Sequence, residues 1–155
     1  MIQKKDTSKV FIIVTFFLLI SIFLAVAIIY ERNKKVNDRI IKINLDTKVE
    51  ENLNWKFLTT TNIIDAKIGQ IYKIDFNVEN YSSIETTGRA VYEVKPDFIK
   101  KYFVEIDCFC YKKQSLLPSE KSTYSITFYI DPKIISDLKA NDIKDINISY
   151  TFLNI

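Results

Sequence analysis

The segment Tyr124-Ser-Ile-Thr-Phe-Tyr-Ile130 decides the fold, because large apolar side chains occupy every second position. Successive side chains of a strand point to opposite faces, so this alternation is typical of a half-buried β-strand. About seven strands over roughly 110 residues, separated by turn signals, predict an all-β domain built as an immunoglobulin-like antiparallel β-sandwich. Lys133–Ala140 is the one segment that predicts a short helical insertion. The same period of two recurs in other stretches rich in β-branched and aromatic residues: Ile41–Leu45, Trp55–Leu58, Ile74–Val78, Ala90–Val94 and Ile146–Phe152.

An uncharged apolar run, Val10 to Tyr30, precedes this domain. A helix of that length rises about 31 Å, close to the hydrocarbon thickness of a bilayer. The small-x-small sequence Ala25-Val-Ala27 admits a cleaved signal peptide, but the apolar run continues to Tyr30, which is long for a signal sequence. We therefore predict a single retained N-terminal transmembrane helix over residues 10–30. A tail over residues 1–9 precedes it, and a charged juxtamembrane connector, 31–44, leads to the domain at 45–155.

Basic residues flank the apolar run on both sides and do not decide its orientation. An excess of positive charge marks the cytoplasmic side of a membrane span, but long domains translocate largely regardless of charge. An outward-facing C-terminal domain is therefore permitted. The two basic groups nearly balance: Lys4, Lys5 and Lys9 before the run, and Arg32, Lys34, Lys35 and Arg39 after it.

The two cysteines of the chain, Cys108 and Cys110, are one residue apart, and the chain has no histidine and only Met1 as methionine. In an extended segment, residues i and i+2 share a face roughly 6.5–7 Å apart. That spacing is at or beyond the upper end of the Cα separation in disulfides. Thiolates suit Cu(I), which accepts low coordination numbers, whereas structural zinc needs four ligands. The pair is therefore interpreted as a candidate metal site.

Other interpretations of this pair stay open. Cys108 and Cys110 can be ordinary buried small apolar residues, or they can form a mutual or intermolecular disulfide in an oxidising compartment. Two protomers can pool four sulfurs around a dicopper cluster or, as a less favoured alternative, zinc. A thiol–disulfide exchanger is a more distant alternative, since Cys-x-x-Cys at a helix start is the usual redox arrangement.

The composition excludes several function classes. A hydrolytic triad in its usual form needs a histidine, and Gly69 and Gly88 are the only glycines, too few for a glycine-rich phosphate loop. The formal net charge is +3, and the basic residues do not cluster into a nucleic-acid-binding patch. We therefore predict a protein that is not an enzyme and does not bind nucleic acid.

Five segments occur together in a characteristic order and approximate spacing. In this arrangement they resemble the cytochrome c oxidase assembly protein CtaG family, and the resemblance covers roughly residues 45–152 plus the preceding anchor. The segments are Asn52-Leu-Asn-Trp-Lys-Phe57, Tyr92-Glu-Val-Lys-Pro96, Tyr102-Phe103 followed by Cys108-Phe-Cys-Tyr111, Tyr129-Ile-Asp-Pro132, and Ser149-Tyr-Thr-Phe152.

The resemblance implies a membrane-anchored Cu(I) metallochaperone that inserts copper into the binuclear CuB centre of cytochrome c oxidase during assembly. Cys108 and Cys110 fall on the copper-binding cysteines of the family. The implied location is the bacterial inner membrane, single-pass, with the C-terminal domain in the periplasm. In a eukaryote it is the mitochondrial inner membrane, facing the intermembrane space. The alternative function is a metal-free, membrane-anchored assembly or interaction module for the oxidase.

The expected partners follow from this function and from thiol chemistry. The resemblance implies cytochrome c oxidase subunit I as acceptor and a copper donor protein, in addition to the membrane. Vicinal thiols outside the cytoplasm are prone to oxidation, so a thiol reductase is expected as well. Two sulfurs leave a bound ion open on one side, which favours closure by a second chain in a copper-bridged homodimer.

The chain departs from the family pattern at two places. The family usually carries a further cysteine just beyond the membrane span, and the stretch Ile29–Ile40 has none. A methionine often found near the Ile-Asp-Pro strand is also missing from Ser122–Ser125. The chain must therefore either exchange copper more slowly or borrow a third sulfur from its donor or acceptor during docking, and we favour borrowing.

Overall fold

The computed structural model describes residues 4–37 and 39–155 as two units, an N-terminal helix and a β-domain. Helix α1 spans Lys4–Asn37, and its segment Lys9–Lys34 is long and apolar enough to cross a membrane. This agrees with the predicted single N-terminal anchor, although the helix extends beyond residue 30. The start of the predicted tail, residues 1–3, lies outside the described residues.

The β-domain contains nine strands within residues 39–155. Three short 3-10 helical turns interrupt them, at Asp97–Tyr102, Phe109–Tyr111 and Pro132–Ser136. The strands are β1 Ile40–Val49, β2 Trp55–Thr59, β3 Ile63–Lys67, β4 Tyr72–Asn80, β5 Thr86–Lys95, β6 Phe103–Cys108, β7 Lys113–Leu116, β8 Lys121–Ile130 and β9 Asp145–Asn154.

The strands form two sheets with the orders β3-β1-β9-β5-β7 and β2-β4-β8-β6. Within residues 39–155 the pairs are antiparallel except β1 with β9, which run parallel. Parallel neighbours need a long connection, and β1 and β9 are the first and last strands of the domain. The prediction of an all-β sandwich that follows one apolar helix in the sequence is therefore confirmed. The parallel pairing of strands β1 and β9 is a feature that the sequence did not indicate.

Every stretch that was predicted as a strand forms one, namely β1, β2, β4, β5, β8 and β9. Three strands were missed, because β3 and β7 each bury only one large apolar side chain and β6 does not alternate regularly. The predicted insertion at Lys133–Ala140 is helical only over its first part, in the 3-10 turn Pro132–Ser136. Ile41 and Ile43 are fully buried, so the end of the predicted connector belongs to β1.

The core consists of the inward-facing residues of both sheets. Aromatic rings meet across the sandwich: Phe57 of β2 lies 4.8 Å from Phe152 of β9, and Phe76 of β4 lies 5.3 Å from Tyr150 of β9, measured between ring centroids. Phe109, in the turn after β6, joins the same cluster at 5.6 Å from Phe152. The cluster thus links the centre of the core to the segment that carries both cysteines.

Gly88 of β5 sits where a side chain would collide with the core. A Cβ atom there would lie 2.9 Å from Leu53 Cδ2, 3.1 Å from Trp55 Cζ3 and 3.2 Å from a ring carbon of Phe152. We expect Gly88→Ala to lower the free energy of unfolding by about 1–3 kcal/mol through overpacking. Denaturant unfolding of the detergent-solubilised chain measures this. The control is Arg89→Ala, at the next position of β5, which is exposed. Equal stability of the two variants would contradict the close packing of Leu53, Trp55 and Phe152 around Gly88.

Candidate metal centre

The two cysteines lie where the chain crosses from one sheet to the other. Strand β6 is an edge of the four-stranded sheet, and β7 is an edge of the five-stranded sheet. Cys108 is the last residue of β6, and Cys110 lies in the 3-10 turn that leads to β7. Both side chains are buried, with 4% and 8% of their surface exposed. The pair therefore occupies the seam between the sheets rather than an exposed loop.

A β-bulge in β6 brings a carboxylate to the same face as the first cysteine. Residues three apart on a regular strand face opposite sides. In β6, however, Glu105 pairs with Phe128 and Cys108 pairs with Ile126, so β6 carries one residue more than β8 between these two pairs. Phe128 and Ile126 are both fully buried, so Glu105 and Cys108 point to the interior side together. Re-aiming a side chain is a typical effect of a bulge.

The structure joins Cys108 and Cys110 by a disulfide, with their Cα atoms 5.1 Å apart. The backbone N–H of Cys110 also donates a hydrogen bond to Cys108 Sγ at 3.1 Å. The expectation that their spacing disfavours a disulfide is therefore wrong. It assumed an extended segment, whereas the chain enters a 3-10 turn at Phe109, and such a turn rises less per residue than a strand. The assignment of both cysteines as metal ligands stays a prediction.

Glu105 completes a cluster of three potential ligands that the sequence did not indicate. A carboxylate oxygen of Glu105 and the Sγ atoms of Cys108 and Cys110 lie within 4.8 Å of one another. The Glu105 carboxylate accepts a hydrogen bond from the hydroxyl of Tyr150 at 2.7 Å. Alternation alone does not place Glu105 on the face of Cys108, and the bulge becomes visible only in the pairing with β8.

Burial controls the ionisation of the groups around this carboxylate. Desolvation raises the pKa of Glu105, although its hydrogen bond with Tyr150 acts in the opposite direction. Desolvation, followed by the negative charge of Glu105, raises the pKa of Tyr92 to about 12 and also raises the pKa of Tyr150. Both tyrosines therefore stay protonated at neutral pH, and the Tyr150 hydroxyl remains a hydrogen-bond donor to the carboxylate.

The turn between the cysteines is held by the core. The Phe109 ring packs 5.5 Å from Phe76 and from Tyr124 and 6.0 Å from Phe57, measured between centroids. Its carbonyl accepts a hydrogen bond from Gln114 Nε2 at 3.1 Å. These contacts with the core hold the turn, and the two sulfurs that flank Phe109, in a defined position. Several sequence neighbours of the two cysteines are instead exposed, including Ile106, Tyr111, Lys112 and Lys113.

The donor set favours a soft ion of low coordination number. In the disulfide form the sulfurs carry no negative charge, but two-electron reduction releases two thiols beside a carboxylate. Two thiolates suit Cu(I) or other soft ions, and a carboxylate adds a harder oxygen donor.

The fold and the site together define a class of protein. Its members have an N-terminal apolar helix followed in sequence by a β-sandwich, with a closely spaced cysteine pair at the crossover between the two sheets.

The family follows from sequence comparison. The sequence model described as "Cytochrome c oxidase assembly protein CtaG/Cox11" matches residues 23–154. The chain belongs to this family, which confirms the resemblance noted in the sequence.

Curated relatives named cytochrome c oxidase assembly protein CtaG align with most of the chain. The protein of Nitrobacter hamburgensis is 33% identical over 117 residues, covering 76% of this chain and 54% of the relative. Those of Rhizobium etli and Bradyrhizobium diazoefficiens are 35% and 36% identical, covering 76% and 74% of this chain and 58% and 53% of the relatives. The chain thus spans a little over half the length of these relatives.

Proposed function

We propose that this protein is a membrane-anchored Cu(I) metallochaperone that inserts copper into the CuB centre of cytochrome c oxidase during assembly. The observation that carries the proposal is the convergence of Cys108, Cys110 and the Glu105 carboxylate at one point of the domain. The thiolates are soft ligands that suit Cu(I). The names of the relatives, which refer to oxidase assembly, support the same process.

The disulfide is the oxidised, copper-free form in this proposal. A dithiol reductase attacks one sulfur, the Cys108–Cys110 bond breaks, and the second thiol of the reductase resolves the mixed disulfide. The reductase leaves as a disulfide, and both electrons and both protons end on the two cysteine thiols. Each thiol loses its proton when Cu(I) binds. A thiol reductase in the same compartment is therefore a partner.

Copper is the cargo of this protein, not a catalyst, and the protein is not an enzyme in this proposal. A donor protein supplies Cu(I) to the cysteine pair, and stepwise thiolate exchange passes it to the acceptor, cytochrome c oxidase subunit I. Helix α1 anchors the domain in the bacterial inner membrane, single-pass, with the domain in the periplasm. In mitochondria the corresponding side is the intermembrane space. An anchor raises the effective concentration of the domain near a membrane-embedded acceptor.

Copper stoichiometry tests the proposal directly. We expect the reduced, detergent-solubilised chain to bind about one Cu(I) under anaerobic conditions, because two thiolates satisfy its low coordination number. The same chain with its disulfide intact is the control and should bind none. Copper and free thiols are measured on the same samples after desalting. A reduced chain that retains no copper would overturn the metallochaperone function.

Copper is also expected to promote a homodimer. The second chain closes the open side of the bound ion through an isologous contact. Sedimentation equilibrium of the reduced chain with and without Cu(I) measures the mass, and the oxidised chain is the control. A fully loaded monomer would contradict bridging while leaving copper carriage intact.

A metal-free assembly module is the second candidate, favoured by the disulfide that joins both cysteines. The discriminating experiment expresses a Cys108→Ser, Cys110→Ser variant in cells that lack the native protein. Copper carriage predicts loss of oxidase activity, because the acceptor receives no copper. Normal oxidase assembly by this variant would instead establish the metal-free role.

A further inference from the structure

We propose that Glu105 is the third ligand of the copper site, its carboxylate oxygen closing the side of Cu(I) that two sulfurs leave open. The inference rests on the proposed function, since it assigns a role at the same site. It differs from the expectation that a third sulfur must come from a partner, because the third donor belongs to this chain.

The geometry brings the three donors to one point. The ligand atoms of Glu105, Cys108 and Cys110 lie within 4.8 Å of one another. Donors on a common ion at metal–ligand distances of about 2.0–2.3 Å are at most about 4.6 Å apart. Reduction breaks the S–S bond and frees both sulfurs to rotate about their side-chain bonds, so a separation of 4.8 Å is compatible with an ion among all three donors.

The fold holds the carboxylate in this position. The bulge in β6 turns Glu105 to the interior, opposite the buried Phe128. The hydroxyl of Tyr150, a fully buried residue of β9, donates to Glu105 Oε1 at 2.7 Å. A carboxylate accepts up to about four hydrogen bonds or metal contacts, so this bond leaves it able to bind an ion. Ligands held by such outer partners are pre-oriented.

The chemistry of a carboxylate suits a cargo that must leave. The chain has no histidine and only Met1 as methionine, so it lacks imidazole ligands and is almost without thioether ligands. A carboxylate oxygen is a hard donor and binds Cu(I) more weakly than a thiolate does. A ligand of the acceptor can therefore displace Glu105 before either cysteine releases the ion. Glu105 in this role is an exchangeable ligand.

The test compares Glu105→Gln with the wild-type chain. Glutamine keeps the size of the side chain and an oxygen that accepts from Tyr150, but it removes the negative charge. We expect the reduced variant to retain Cu(I) against a competing chelator such as bathocuproine disulfonate about 10–100-fold less well. Copper K-edge X-ray absorption should show an oxygen neighbour beside the sulfurs in the wild type, and this contribution should weaken in Glu105→Gln, whose neutral amide oxygen is the poorer donor. Glu93→Gln, at an exposed position of β5, is the charge-matched control.

A second variant makes the inference independent of that loss. Glu105→Cys replaces the carboxylate by a thiol whose sulfur lies nearer the strand, and we expect this softer donor to hold Cu(I) at least tenfold more tightly than the wild type. The role of Glu105 would be overturned, with the proposed function left intact, by either of two results. One is unchanged Cu(I) retention and an unchanged absorption spectrum in Glu105→Gln. The other is an equal loss of Cu(I) retention in Glu105→Gln and Glu93→Gln. A wild-type chain that binds no Cu(I) when reduced would overturn the proposed function and this inference together.

Discussion

Replacing both cysteines with serine, as Cys108→Ser and Cys110→Ser, is expected to abolish Cu(I) binding by the reduced protein. Serine hydroxyls stay protonated at neutral pH and are hard donors, so they do not substitute for thiolates on a soft ion. Copper content should fall from about one ion per chain to background. The measurement is copper against protein concentration after anaerobic loading and desalting.

The fold is expected to survive this double substitution. A disulfide between residues two apart closes a very short loop, which constrains the unfolded chain less than a long loop does. Each buried hydroxyl costs about 1–3 kcal/mol if it finds no partner, so circular dichroism must accompany the copper measurement. Lys112→Ser with Lys113→Ser is the matched control, because both side chains are exposed beside the site. Stoichiometric copper in the cysteine-free variant would contradict ligation by Cys108 and Cys110.

Phe109→Ala is expected to produce the largest loss of stability, about 3–5 kcal/mol in the free energy of unfolding. The side chain is 8% exposed, and its ring contacts both sheets through Phe76 at 5.5 Å and Phe152 at 5.6 Å. Truncation removes these contacts and leaves a cavity at the crossover. Domains of this size are stable by only about 5–15 kcal/mol. Denaturant unfolding with two spectroscopic probes measures the change.

The same variant tests whether the core positions the copper site. Phe109 lies between the two ligands, so a looser turn should also reduce Cu(I) retention in the folded fraction. Phe98→Ala, which truncates a phenylalanine that is 45% exposed, is the control and should be near neutral. If Phe109→Ala were as stable as Phe98→Ala, the anchoring of the turn by the aromatic cluster would be wrong.

The anchor and most of the sandwich were determined by the sequence itself. Burial on one face of a strand enforces a period of two, so β8 and β9 were visible in alternating side chains. A helix that crosses a bilayer must be long and apolar, so the length and lack of charge of the run from Val10 to Tyr30 were enough to identify it. The cysteine pair stood out because the chain has so few other soft donors. These features depend on local composition. The family was identified from the five quoted segments that resemble it.

The tertiary structure alone decided the geometry of the candidate site. Strand β6 was missed, and Glu105 with it, because a bulge breaks the alternation and exists only relative to the register of β8. The disulfide geometry was misjudged because the chain turns at Phe109, where the ring enters a core built from both sheets. The parallel pairing of β1 with β9 likewise joins opposite ends of the domain. Each of these features depends on contacts between residues distant in sequence, which a local pattern does not encode.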